Sequence, residues 1–250
     1  MNFKFSLKKL EVLPEFSMRK MPDLTIDKVV TYDSPDSHSI SFCKKWDEDM
    51  ENKYLHIQNS FLIVKTGLKV ADEIKKRNFI FETENPRLLF AKVLNIIFAD
   101  FDSFNPENYI SDNFNIVRGK NALIGENTTI EPNVFIDNDV RIGKNCFIQT
   151  GVRIKKNTVI GDNVIIRENS VIGSPGFGME RDGEKIIRIP HIGGVVIGND
   201  VEIGALNTII AGTINPTEIH DYVKTDTHIH IAHNCIIKKA AILTACAELS

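Results

Sequence analysis

The 250-residue chain carries 42% hydrophobic and 25% charged residues and a net charge of −3. That leaves room for one solenoid plus a smaller domain, and it shows neither the basic stripe of a nucleic-acid binder nor an arginine-rich membrane-surface segment. No stretch approaches the roughly 20 apolar residues of a spanning helix, and Met1–Lys9 has charge without the apolar run of a signal peptide, so a cytoplasmic protein without stable membrane insertion is expected.

Residues 1–105 read as a small α/β domain. Val29–Tyr32, Ser39–Phe42, Ser60–Val64 and Phe79–Phe81 are rich in β-branched and aromatic residues and are expected as strands. Asn85-Pro86 has the form of a helix start. Leu89, Phe90, Val93 and Ile97 then fall on one helical face, so a helix is expected over Pro86–Phe98. The polar stretch Asp102–Asn108 links this domain to the remainder of the chain.

Residues 106–250 obey a different rule. Ile124, Ile130, Ile136, Ile142, Ile148, Ile154, Ile160, Ile166 and Ile172 recur every six residues. A helix would turn residues six apart by roughly 120° off a common face. Short strands joined by turns satisfy the spacing instead, with Gly, Asn and Asp expected to take φ > 0 at the corners. Four residues after each isoleucine, up to Ser170, stands a small or branched residue: Thr128, Val134, Val140, Cys146, Val152, Thr158, Val164 and Ser170. One inward aliphatic and one inward small residue per hexapeptide describe a coil wall that stacks on its neighbours, which is the hexapeptide parallel β-helix. Cys146 and Cys235 fall on the small inward position and read as packed thiols, not disulfide partners.

The rhythm breaks over residues 173–196, which hold Gly176-Phe177-Gly178 and Ile189-Pro190-His191. It resumes at Ile197, Ile203 and Ile209, slips across Asn215-Pro216, and restarts at Ile219. A long loop in so regular a solenoid is expected to be functional, or else to be a packing arm for a neighbouring subunit. The sequence stops at Ser250 in mid-pattern. Terminal coils need a polar cap, so either the last coil is covered or the protein is a shortened form of a longer one.

Gly176-Phe177-Gly178, Ile189–Ala205 and Ile231-Ala232-His233-Asn234, with Ile40-Ser41-Phe42 and Asn85–Leu94 upstream, resemble the UDP-3-O-acylglucosamine N-acyltransferases of lipid A assembly. The resemblance implies a mainly β fold, a left-handed parallel β-helix with a small N-terminal α/β domain. It implies a homotrimer with sites between subunits, and acyl transfer from a phosphopantetheine thioester to the amine of a nucleotide-linked amino sugar. The thioester would be carried by acyl-carrier protein or coenzyme A, with no bound cofactor or metal.

An amine attacking a thioester sheds a proton, which a base titrating near neutrality accepts best. By resemblance that base is His233, with Asp226 and Asn234 in support. Phe42, Trp46, Phe177, His191 and His230 are the candidate substrate contacts. Two departures from the family matter. Ser41-Phe42 is followed by Cys43–Glu48 in place of the Asn-Pro-x-Tyr element that contacts uridine, leaving Trp46 as a base-stacking or packing residue. The family's oxyanion donor, one coil of about 18 residues beyond the histidine, falls at or past Ser250. This favours a small acyl group such as acetyl.

Two other classes share the repeat, so fold alone does not assign function. His228 and His233 have the His-x4-His spacing of γ-class carbonic anhydrases, with His191 upstream, a zinc reading. A catalytically inactive trimeric scaffold is the third.

Overall fold

The six-residue rhythm becomes strands two to four residues long, most of them ending on the repeat isoleucine: Leu123–Ile124, Thr129–Ile130, Phe135–Ile136 and onward to Glu248–Leu249. A computed structural model describes residues 3–101 and 103–250. Met1, Asn2 and Asp102, the last being the first residue of the expected linker, lie outside the described residues. The architecture is mainly β, a left-handed parallel β-helix of hexapeptide repeats together with a small α/β unit.

Three sheets of six, eight and six strands form the prism walls. Ladder partners stand 18 residues apart, as in Phe135 with Arg153 and Ile136 with Ile154. Each coil thus holds three hexapeptides, and equal side chains stack on equal side chains. The inward column is dry: Ile136, Ile148, Ile154, Ile166, Ile172, Ile209 and Ile231 are all fully buried. The small positions Val134, Val140, Cys146, Val152, Thr158, Val164 and Ser170 are buried too. Burial pushes the Cys146 thiol up, and all four cysteines are free. At the first coil the antiparallel strand Tyr109–Ser111 pairs with Val117–Gly119.

The corners divide the work differently from the expectation. Asn127, Asn133, Asp139, Asn145, Asn157, Asn163 and Asn169 all have φ between 54° and 63°. Asn and Asp tolerate that left-handed region best among non-glycine residues. Gly125, Gly143 and Gly161 do not take positive φ. They are small because the next coil presses on them: a Cβ on Gly143 would lie 2.4 Å from the Gly161 carbonyl oxygen.

The break in the repeat is accommodated without disturbing the prism. Partners 18 apart become 37 apart across it, as in Val159 with Val196. The slip at Asn215-Pro216 adds a smaller bulge, after which Val196 pairs with Glu218. The excised chain forms an antiparallel hairpin, Met179–Asp182 with Lys185–Arg188, turning at Gly183.

That hairpin belongs to the other compact unit, Met1–Asp102 with Gly178–Pro190; Ser103–Phe177 with His191–Ser250 make the solenoid. The first unit has a four-stranded parallel sheet in sequence order: Lys28–Val29, Ser39–Cys43, Phe61–Lys65 and Phe79–Thr83. The expected strand Val29–Tyr32 is shorter, because the chain leaves the ladder after Val29 and turns at Tyr32-Asp33. Two short helices that the apolar pattern does not announce, α1 (Glu48–Tyr54) and α2 (Asp72–Arg77), precede the expected long one, α3 (Pro86–Ile97). The Asn85 side chain accepts from Leu88 N at 3.2 Å and caps α3. Lys92 of α3 bridges Glu15 at 2.7 Å and Asp182 of the hairpin at 2.8 Å. Burial works against its charge, and the two carboxylates outweigh it and hold the ammonium above its ordinary value. Arg87 meets Glu180 at 2.9 Å.

Candidate active site

One edge of the prism collects the chemistry. It joins the eight-stranded sheet to the six-stranded sheet that starts at Leu123–Ile124. The chain crosses it from His230–Ile231 to Ile236–Ile237, and, through the long excursion, from Val171–Ser174 to Val195–Ile197. His233 and His191 therefore reach the same edge although 42 residues separate their numbers. Their rings meet edge to face, 5.0 Å between centroids and 66° between planes. His191 is buried and His233 half-buried. Gly176 makes room for this pair, since a Cβ there would lie 2.8 Å from His191 Nε2.

Asn234 secures the pair from the side. Its φ of 64° turns the chain at the corner, and its backbone N–H donates to Thr217 Oγ1 at 3.0 Å. The side-chain Oδ1 accepts from Thr213 N at 2.8 Å, and Nδ2 stands 3.0 Å from His233 Nδ1. Thr213 was not legible in the sequence as a site residue. The signal was the slip at Asn215-Pro216, which widens this corner and swings Thr213 against Asn234.

The remaining candidates are placed apart from this group. Asp226 is exposed, lies at the corner before His230–Ile231, and accepts from Thr227 N at 2.7 Å. Within the chain, the partners of the His233 ring are His191 and Asn234, not Asp226. His230 sits on the outward side of its strand, paired with Thr208 and Glu248, and is half-buried. His228 shares the earlier corner with Asp226, so the two members of the His-x4-His spacing occupy different edges. Among the described residues no three His, Cys, Asp or Glu side chains converge as a metal site would require. Phe177 is 85% exposed and stands free beside Gly176.

Phe42 and Trp46 belong to the first unit. Phe42 is half-buried and packs on Phe90 of α3 at 4.9 Å. Trp46 donates from Nε1 to Glu51 at 2.5 Å and lies 5.2 Å from the Tyr54 ring, at the margin of the cluster around Met50, Leu62 and Ile74. Its indole is used for packing inside the unit.

A second polar group occupies the same solenoid edge, nearer its start. Asp137 is buried and accepts from Tyr109 Oη at 2.5 Å and Asn138 N at 2.8 Å, with Lys155 Nζ at 2.9 Å. Burial first, then the hydrogen bond to Asp137 and the charge of that carboxylate, push the Tyr109 phenol up to about 12. Each Asp137 oxygen has a partner, so the group is a closed structural ion pair.

With the fold and the edge defined, the class is that of hexapeptide-repeat β-helices. Known proteins narrow it. The family model described as the GMPPB C-terminal domain matches residues 118–219. The chain is 48% identical over 77 residues to the UDP-3-O-acylglucosamine N-acyltransferase of Dechloromonas aromatica (strain RCB), a match covering 31% of this chain and 22% of that protein. It is 49% identical over 72 residues to the enzyme of the same name from Desulfosudis oleivorans, 29% of this chain and 21% of that one. The matches thus span about a fifth of the length of these curated relatives. A solved UDP-N-acetylglucosamine acyltransferase from Campylobacter jejuni aligns with a TM-score of 0.44 and 29% identity, over 51% of this chain and 48% of that one. The curated relatives carry the family name suggested by Ile189–Ala205 and Ile231–Asn234.

Proposed function

We propose that this chain is an N-acyltransferase that moves an acyl group from a phosphopantetheine thioester to the amine of a nucleotide-linked amino sugar. The observation that carries the reading is the His191–His233 pair at one prism edge, in a chain whose curated relatives are N-acyltransferases of a UDP-sugar. His233 is the ring that meets the reacting atoms, since it keeps one nitrogen, Nε2, without a protein partner among the described residues. Phe177 and His191 border the sugar beside His233. The donor is acyl-carrier protein or acyl-CoA, acetyl-CoA being the small-acyl form of the same chemistry.

A homotrimer fits this reading. On one six-stranded wall Leu123, Val159, Val196 and Ile236, each 37–58% exposed, share an outward column with Arg141 and Glu218, a mixed surface that copies of the chain would cover. The four free thiols suit a reducing cytoplasm.

The test is thiol release by wild type and His233→Ala, with acetyl-CoA and a long-chain acyl-carrier protein offered separately against UDP- and dTDP-amino sugars. Turnover that His233→Ala abolishes supports the reading, and the preferred donor fixes the acyl class. Binding of a nucleotide sugar without turnover of any pair refutes catalysis and leaves a scaffold.

A further inference from the structure

We infer that Asp182-Gly183 is a site of isoaspartate formation, a change of main-chain connectivity that needs no enzyme, and that Lys92 restrains it. The reaction turns a peptide nitrogen onto the side chain that precedes it. Glycine in second place is the most permissive partner, because no Cβ shields that nitrogen or limits the rotation that brings it to the carboxyl carbon. In the whole sequence no other aspartate or asparagine precedes a glycine.

The solenoid supplies the contrast. Its corners carry Asn133, Asn145, Asn157, Asn163 and Asn169 with φ > 0, yet the residue after each, from Val134 to Ser170, is branched or small and buried in the prism. The hairpin turn has no such shielding. Gly183 takes φ 61° at the first place of a two-residue turn, and a Cβ there would meet nothing within 4 Å. Gly183 and Glu184 are both exposed. The ladder closes with Asp182 opposite Lys185, which leaves the Gly183 N–H outside it.

The restraint comes from α3. Lys92 Nζ holds Asp182 Oδ2 at 2.8 Å and Glu15 Oε1 at 2.7 Å, and its side chain is only 16% exposed. The bridge aims the carboxylate at the helix, away from its own main chain, and engages one of the two oxygens, of which one must leave. In the step itself the Gly183 nitrogen bonds to Asp182 Cγ. A carboxyl oxygen departs as water, taking the amide hydrogen and a proton from solvent, and a five-membered imide closes. A second water then opens the imide. Addition at Cγ restores aspartate, whereas addition at the main-chain carbonyl breaks its bond to nitrogen and routes the chain through Cγ. Mass is unchanged, the backbone is one carbon longer and the carboxylate sits on Cα. A two-residue turn between paired strands does not accommodate the added carbon, so the Asp182–Lys185 pair opens and Lys92 loses a partner.

The test ages the whole chain in neutral buffer at body temperature. Lys-C releases the peptide spanning residues 157–185, and electron-transfer fragmentation distinguishes the two linkages at residue 182. Isoaspartate should accumulate at Asp182 beyond the level at every other aspartate. Lys92→Met should speed it about threefold, the scale set by a partly exposed ion pair, and Lys92→Arg, which keeps the bridge, should return the wild-type rate. Aged protein should exchange amides across Met179–Arg188 faster than fresh protein. A level at Asp182 no higher than at the exposed Asp33 overturns the site. Equal rates in wild type and Lys92→Met overturn the restraint. Should Lys92→Met fail to fold, wild type in high salt, which weakens the bridge, makes the same comparison.

Discussion

Gly143 is the position where the solenoid's spacing can be tested with one methyl group. Its φ is not positive, so alanine there incurs no left-handed strain. The added Cβ would stand 2.4 Å from Gly161 O and 2.6 Å from Gly161 C, against backbone of the next coil that cannot swing aside. The contact needs a shift of more than half an ångström between coils held by Gly143 N to Ile160 O at 2.9 Å and Lys144 N to Asp162 Oδ1 at 2.7 Å. Overpacking usually costs about 1–3 kcal/mol, and the rigidity of both neighbours places Gly143→Ala at about 3 kcal/mol. Asn163→Ala, at φ 57° one coil away, is the control. It loses only tolerance of the left-handed region and two long side-chain bonds, together about 1–2 kcal/mol. In urea unfolding with an m-value of about 3 kcal/mol/M, Gly143→Ala should lower the midpoint by about 1 M, and Asn163→Ala by about half that. A Gly143→Ala midpoint equal to or above that of Asn163→Ala would refute the claim that coil contact selects this glycine.

Tyr54 and Tyr109 should ionise only near pH 12, the first held back by burial and the second by burial and Asp137. Because these folded values lie above the ordinary value of about 10, the associated stability is complete below pH 10 and fades towards 12. Tyrosinate absorbance should show a late phase, half of which Tyr109→Phe removes. Lys92→Met strands Glu15 and Asp182 and should raise amide exchange across Met179–Arg188 without altering the solenoid ladders. In the wild type the Lys92 bridges contribute below the usual lysine value of about 10.4 and are lost as pH rises through its raised folded value. Asp226→Asn should leave turnover within about threefold of wild type while His233→Ala abolishes it, the assay being thiol release; a loss equal to that of His233→Ala would make Asp226 part of the machinery.

The solenoid was readable because its physics is periodic: a dry column of isoleucines demands the same spacing from every coil, and Ile124 through Ile172 state it without interruption. The first unit announced its long helix through Asn85-Pro86 and its core strands through Ile40, Leu62 and Ile80. It concealed α1 and α2, whose seven and six residues are too short for an apolar period to establish itself. The glycines of the corners were misread because spacing reveals where a small residue recurs, not whether φ or a neighbour requires it. In the site, a histidine repeated from a known motif was legible. So were His191 and Asn234, named with it; Thr213 was not, since it arrives through a bulge whose length no repeat encodes. Asp226, close in sequence, proved to sit on another edge because a hexapeptide step turns the chain by a third of the prism.

The hairpin also bears on the order in which the protein can be made. The first unit is interrupted in sequence: its last strands, Met179–Asp182 and Lys185–Arg188, are synthesised after the solenoid has begun. Until then Lys92 has only Glu15, and Arg87 lacks Glu180. A chain growing from its N-terminus must therefore lay down about three coils of repeat before its opening domain is complete, and a fragment ending near residue 102 carries two cations awaiting their counterparts.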